Sequence, residues 1–148
     1  GAFTDTYKYA LLLSEASSGL FAKLEESTKR NTMEQNVVLC GANSYDQKYY
    51  LNQEFSALPD AVKQELQIMC VWFTEDIGGI LTLEFEPDGT LIMKTTADDM
   101  DYYYDDIGAG LKLHQLQRQK RELMSSLEMY YRVMFLNKTV EEAGKEIL

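Results

Sequence analysis

Apolar positions along the chain follow two spacings, and each change of spacing marks an element. From Thr4 to about Arg30 the spacing is helical: Tyr9, Leu13, Ala16, Leu20 and Leu24 recur three or four apart and share one face. Thr4 or Asp5 can cap its start, and "STKRNT" ends it with the basic and polar residues that suit a helix C-terminus. "NVVLCGANSYDQKYYLN" then reads as two strands, Val37 to Cys40 and Gln47 to Leu51, around a turn in "GANSYD".

"LPDAVKQELQIMCVWFTEDIGG" returns to helical spacing. Val62, Leu66, Met69, Cys70 and Phe73 form an apolar stripe, and Pro59 suits the first helical position, where its missing N–H costs nothing. "IMCVWF" is apolar all round, which predicts burial on more than one side and places Trp72 in the core. Gly78 and Gly79 can take the left-handed conformation that ends a helix. In "ILTLEFEPDGTLIMKTT", Leu81, Leu83 and Phe85 alternate with Thr82 and Glu84, the period of a half-buried strand. "EPDG" is a turn, and Leu91 and Met93 continue the apolar face on the return strand.

The last large element starts near Asp105 or Asp106 and runs to about Asn137. Leu113, Leu116, Leu123, Leu127, Tyr130 and Met134 keep helical spacing, with Lys120 in the slot between Leu116 and Leu123. Some 30 helical residues would span roughly 45 Å. That exceeds what a domain of this size needs. Either part of the helix packs on something else, or it bends within "HQLQRQKRE". "TVEEAGKEIL" is a short tail with Thr139 and Glu142 at the spacing of a capping box.

The expected class is α+β: an antiparallel sheet built from two hairpins and packed by helices, in the order α-ββ-α-ββ-α with the last helix long. Met33 stands just before the first strand-like run. Residues 1–32 are therefore either an appended segment or a genuine first helix, and residues 33–148 form a single α+β domain. The order is similar to that of roadblock/profilin-like regulators and of small acidic secretion-system chaperones, at the level of fold alone.

Composition narrows the function. At 148 residues and 45% apolar, the chain can build a real core. A formal net charge of -10 is the wrong sign for neutralising phosphates, so a nucleic-acid partner is not expected. The same charge repels anionic lipid and favours solubility and partners with basic surface. No apolar run approaches the roughly 18 to 20 residues that cross a bilayer. "YALLLSEASSGLFAKL" is broken by Ser14, Glu15 and Ser17 and lacks the basic start of a signal peptide. Cys40 and Cys70 are too few and too far apart for a disulfide framework or zinc site. They are expected to be reduced, buried and structural, with a cytoplasmic location as the default.

"TADDMDYYYDDIGAG" is the stretch with the most candidate chemistry. It fails as a calcium loop of the EF-hand type: starting at Asp99 puts Tyr103 at position 5, and starting at Asp101 puts Lys112 at position 12. Three readings remain. The carboxylates form a solvated loop and cap a helix; or they hold a divalent ion irregularly within residues 98–106, as a metal site or part of an enzyme; or Tyr102, Tyr103 and Tyr104, flanked by Asp99 and Asp101, bind a protein. The basic run Lys112, Arg118, Lys120 and Arg121 is either a solvated face or the complement of the Asp-rich loop in a second copy. "MYYRVMF" places apolar residues too densely for one face: either the helix end is buried on two sides, or one side joins a partner, with Tyr131 a candidate contact beside Arg118 and Arg121. His114, the single histidine, sits among cationic neighbours and suits a solvated face. No Gly-rich phosphate loop, G-x-S-x-G elbow or H-E-x-x-H is present. No catalytic residue, metal ligand or cofactor is therefore assigned.

The segments "VVLCGANSYDQKYYLNQEFSALPDAVKQELQIMCVWFTEDIGGILTLEFEPDG" and "YDDIGAGLKLHQLQRQKRELMSSLEMYYRVMF" resemble a family of small bacterial proteins described as a domain of unknown function, over roughly Met33 to Asn137. The resemblance implies a compact cytosolic bacterial protein and brings no activity, cofactor or site. Residues 1–32 fall outside it, in agreement with the seam at Thr32/Met33. The function expected is a non-catalytic interaction or regulatory module that self-associates as a homodimer and binds a protein partner. The alternatives are a chaperone-like binder of a basic or secreted client, and a metal protein or enzyme using residues 98–106.

Overall fold

The computed structural model describes residues 35–147, so the expected helix from Thr4 to Arg30 and the seam at Met33 lie outside the described residues. Four strands form an antiparallel sheet: β1 (Val37–Asn43), β2 (Lys48–Leu51), β3 (Ile80–Phe85) and β4 (Leu91–Thr96), in the order β2-β1-β3-β4. Among the described residues four α-helices accompany the sheet: α1 (Asp60–Ile77), α2 (Asp106–Gln119), α3 (Arg121–Met134) and α4 (Val140–Ile147). The chain gathers into two compact units. One comprises Val38–Glu84 and Ile92–Gln119; the other, among the described residues, comprises 35–37, Phe85–Leu91 and 120–147.

In the first unit, β1 and β2 pair in the register Cys40↔Leu51, Gly41↔Tyr50, Ala42↔Tyr49 and Asn43↔Lys48. Strand β1 runs three residues beyond its expected end at Cys40 because Asn43, not Gly41, starts the turn. Its Oδ1 accepts the N–H groups of Tyr45 at 2.9 Å and Asp46 at 3.3 Å, an Asx turn. Gln47 closes the turn at φ 53. After β2, Asn52 caps a short 3-10 turn, Gln53–Phe55, by accepting from the Glu54 N–H at 3.0 Å, and its Nδ2 donates to the Val38 carbonyl at 2.8 Å. These two hydrogen bonds anchor the chain where Phe55 becomes fully buried.

Helix α1 begins one residue later than expected. Pro59 is its cap residue, with a carbonyl that accepts from the N–H groups of Val62 and Lys63. The stripe Val62, Leu66, Met69, Cys70 and Phe73 is buried as its spacing predicts. Trp72 is not: it is 71% exposed, and Ile68, one turn before it, is also exposed. The stripe already fills the inward face, and residues 68 and 72, four apart, share another side. The expectation of a helix buried all round is corrected to one buried face and one exposed apolar pair.

Cys40 and Cys70 are free, fully buried, and 3.9 Å apart at sulfur. The contact with Cys40 and then burial push the Cys70 thiol well above its usual range. Burial, and then Cys40, does the same to the Tyr49 phenol. Gly78 and Gly79, at φ 86 and 68, end α1. Leu81 and Leu83 of β3 and Met93 of β4 face the core, while Lys94 and Glu84 pair outside it at 3.3 Å.

The second unit explains why the expected long helix divides. Lys120 holds the slot where the apolar repeat calls for a core residue, and a Lys is not buried there unpaired. Its backbone leaves the helical region (φ -106, ψ 19), giving α2 before it and α3 after it. Thereafter α3 buries Leu123, Met124, Leu127, Tyr130, Tyr131, Arg132 and Met134. Phe85, Tyr131 and Phe135 stack in series, with centroids 4.2 Å and then 5.0 Å apart. The β3–β4 turn is held by Arg132, whose Nε donates to the Asp88 carbonyl at 3.1 Å, and by Glu128, which accepts the Leu91 N–H at 2.8 Å. Gly89 turns at φ 93, and a Cβ there would stand 2.6 Å from Arg132 Cγ, so the turn needs glycine for both conformation and space. Phe135 caps the end of α3 with its N–H on the Tyr131 carbonyl at 2.8 Å, and beyond it Asn137, at φ 56, turns the chain so that the Lys138 N–H reaches back to the Arg132 carbonyl at 3.0 Å. Thr139 caps α4 by accepting the Glu142 N–H at 3.2 Å, which supplies half of the expected capping box.

Candidate functional site

The acidic-aromatic stretch is the loop from β4 into α2, and its carboxylates build it. Asp98 Oδ1 accepts the Met100 N–H at 3.0 Å, Asp101 Oδ1 the Tyr103 N–H at 3.2 Å, and Asp105 Oδ1 the Gly108 N–H at 3.0 Å. Each is a local carboxylate-to-backbone bond of the kind that fixes turns and caps helices. Tyr45, from the β1–β2 turn, locks the loop from outside. Its hydroxyl donates to Asp101 Oδ2 at 2.6 Å and accepts the Asp98 N–H at 3.0 Å. The bond to Asp101 raises the Tyr45 pKa above its ordinary value. Tyr104 turns inward, and its ring lies where a Cβ on Gly79 would stand 2.8 Å away. Glycine at position 79, itself at φ 68, leaves room for that ring.

The consequence is a division of labour. Asp98, Asp101 and Asp105 are engaged by backbone N–H groups. Tyr102 and Tyr103 project outward, 80% and 98% exposed, with Met100 beside them and its sulfur 3.8 Å from the Tyr102 hydroxyl. Among the described residues no group of three or more His, Cys, Asp or Glu could hold a metal ion. Asp99 is exposed on the same loop. Arg118 is exposed near the end of α2, and Arg121 is exposed at the start of α3 in the other unit. Tyr131 lies inside the aromatic stack at 3% exposure, so it cannot line a surface. Its dense apolar neighbourhood reflects burial of the helix on two sides.

Two further apolar pairs lie on the surface of the first unit. Ile68 and Trp72 stand on α1, and Ile107 and Leu111 on α2, each pair one helical turn apart. Lys112 of α2 bridges to Asp76 of α1 at 2.5 Å. Beside the β1–β2 turn and the C-terminal half of α1 lies a cleft of about 630 Å³ with a mixed lining that includes Asn43, Lys48 and Glu75 together with Ala42, Tyr49 and Val71. His114 is exposed on α2.

Sequence reasoning missed Tyr45, because nothing local announces a partner 56 residues away. It also missed the two surface pairs. Ile68 and Trp72 were legible as apolar residues off the α1 stripe, and Ile107 and Leu111 as a pair offset from Leu113 and Leu116.

No helix among the described residues is long and apolar enough to cross a membrane. No curated protein and no solved structure matches the chain. Residues 36–139 match the model of a family of unknown function, DUF6145, and the chain belongs to that family.

Proposed function

We propose that this protein is a non-catalytic interaction module of the bacterial cytosol, working as a homodimer and engaging a protein partner of basic surface through the loop that carries Met100, Tyr102 and Tyr103. One observation carries the reading: a loop cross-braced by Asp98, Asp101, Asp105 and Tyr45 holds two nearly fully exposed tyrosines outward. Ordering the loop in advance lowers the entropy cost of using it, and tyrosine offers large contact area with few rotamers. The remaining carboxylates and the net charge of -10 draw basic surfaces toward it.

The test is cross-linking in the native cell with wild type and with a Met100→Ala/Tyr102→Ala/Tyr103→Ala variant. These side chains are exposed, so the variant keeps its thermal melt. A partner cross-linked to wild type is expected to be lost from the variant. The same partners recovered at the same yield with both proteins would refute the reading.

A further inference from the structure

We infer that the outer face of α2 pairs with the same face of a second copy, antiparallel, about a twofold axis close to Leu111 and His114. The inference rests on the homodimer reading above and specifies its interface.

Three independent features of α2 point there. First, the helix is scarcely packed by the other described residues. Of fourteen residues only Ala109 is buried. Ile107, Leu111, His114 and Arg118 follow at i, i+4, i+7 and i+11, a stripe roughly opposite Ala109, and Ile107 and Leu111 are 79% and 68% exposed. A helix this short draws its stability from packing, which this face does not receive within the described residues.

Second, Gly110 flanks the stripe in mid-helix, where glycine is unfavourable. A Cβ there would meet nothing within 4 Å among the described residues, so neither backbone conformation nor their packing calls for glycine. Close approach of a second helix backbone would use that open space.

Third, the stripe is charged asymmetrically. Asp106 stands beside the stripe at the helix's N-terminal end and Arg118 in it at the C-terminal end, about 18 Å further along. The ion pairs Lys94–Glu84 and Lys112–Asp76 leave Asp106 and Arg118 unpaired among the described residues. An antiparallel twofold brings Asp106 and Ile107 of each copy against Arg118 of the other and sets Leu111 against His114. Two opposite-charge contacts then flank an apolar centre, the self-complementary pattern of an isologous interface. A parallel pair would stack acid on acid and base on base.

Sedimentation equilibrium of the full chain at physiological salt tests this. Wild type is expected to dimerise. Leu111→Glu should raise the dissociation constant on the order of 100-fold, as loss of a central contact does. Arg118→Glu should raise it about tenfold, and Asp106→Arg with Arg118→Glu should restore it. Gly110→Ala is the most discriminating. On a solvated face it raises the melting temperature and leaves association unchanged; at a close helix contact it weakens the dimer while making the monomer's helix more stable. Circular dichroism confirms that each variant is folded. A wild-type dimer that all four variants leave untouched overturns the inference and spares the homodimer reading. A wild-type monomer at the highest attainable concentration overturns both, while partner binding by the tyrosine loop is still judged by its own cross-linking experiment.

Discussion

Trp72 stands on the outer side of α1 with 71% of its surface in solvent, so its fluorescence is a direct check on the packing of that helix. Emission is expected to be red-shifted and readily quenched by iodide in the native protein, and to change little on unfolding. Blue-shifted emission shielded from iodide would mean that something covers this face. Tyr130 presents the opposite situation. It is among the largest fully buried side chains, and its hydroxyl finds no partner among the described residues. Burial pushes its pKa up to about 12. A buried hydroxyl without a partner costs free energy, whereas the ring gains it by packing near Phe135. Tyr130→Phe is therefore expected to be neutral or to stabilise by up to about 1 kcal/mol in thermal unfolding. A loss of that size would show a hydrogen bond where the structure has none.

At the scale of elements, Tyr45 joins the β1–β2 turn to the loop before α2 through two hydrogen bonds of one hydroxyl. Tyr45→Phe should leave the sheet intact and accelerate amide exchange at Asp98, Tyr103 and their neighbours; unchanged exchange would show that the Asx turns alone hold the loop. Glu128 couples α3 to the β3–β4 turn. Burial raises its pKa, outweighing the Leu91 N–H and the Arg132 charge, which lower it. A carboxyl whose folded pKa lies above its unfolded value binds more protons when folded, so its contribution to stability falls as pH rises from the ordinary carboxylate range through the raised value. Glu128→Gln keeps an acceptor for Leu91 and removes the charge. It should flatten that decline, with a gain near neutral pH and none in acid; a variant no more stable at neutral pH than wild type would contradict this. These elements were unevenly visible in the sequence. The β3–β4 hairpin and the buried stripe of α1 followed from period alone, because both pack locally repetitive faces. The break at Lys120 was half visible: a charge in an apolar slot signalled trouble, and only the φ of that residue showed a break between two helices. The outward face of α1 was misread because a run such as "IMCVWF" does not reveal how many sides its neighbours cover. Tyr131 was misread for the converse reason, since aromatic density cannot separate a contact surface from the stack formed with Phe85 and Phe135. Tyr45 depends on distant chain segments meeting, which no local pattern encodes.

For the whole molecule, the net charge of -10 sets the reach of every other interaction. Two such copies about 30 Å apart in salt-free water repel by on the order of 10 kcal/mol, against roughly 1 kcal/mol for each exposed ion pair between them. At physiological ionic strength the Debye length is about 8 Å, so the long-range repulsion is cut far more than the contacts are. Self-association should therefore strengthen as salt rises from a few millimolar to the physiological range, while capture of a basic partner weakens; self-association that falls throughout that range would show that local pairs dominate. The two neighbouring sulfurs of Cys40 and Cys70 have a consequence of another kind. One belongs to an interior strand of the sheet, the other to the helix that follows the first hairpin, and neither offers surface to a reagent. Alkylation by iodoacetamide must wait until strand and helix part. The two thiols thus form a built-in clock: their modification should proceed as one event, at the pace at which the fold breathes open.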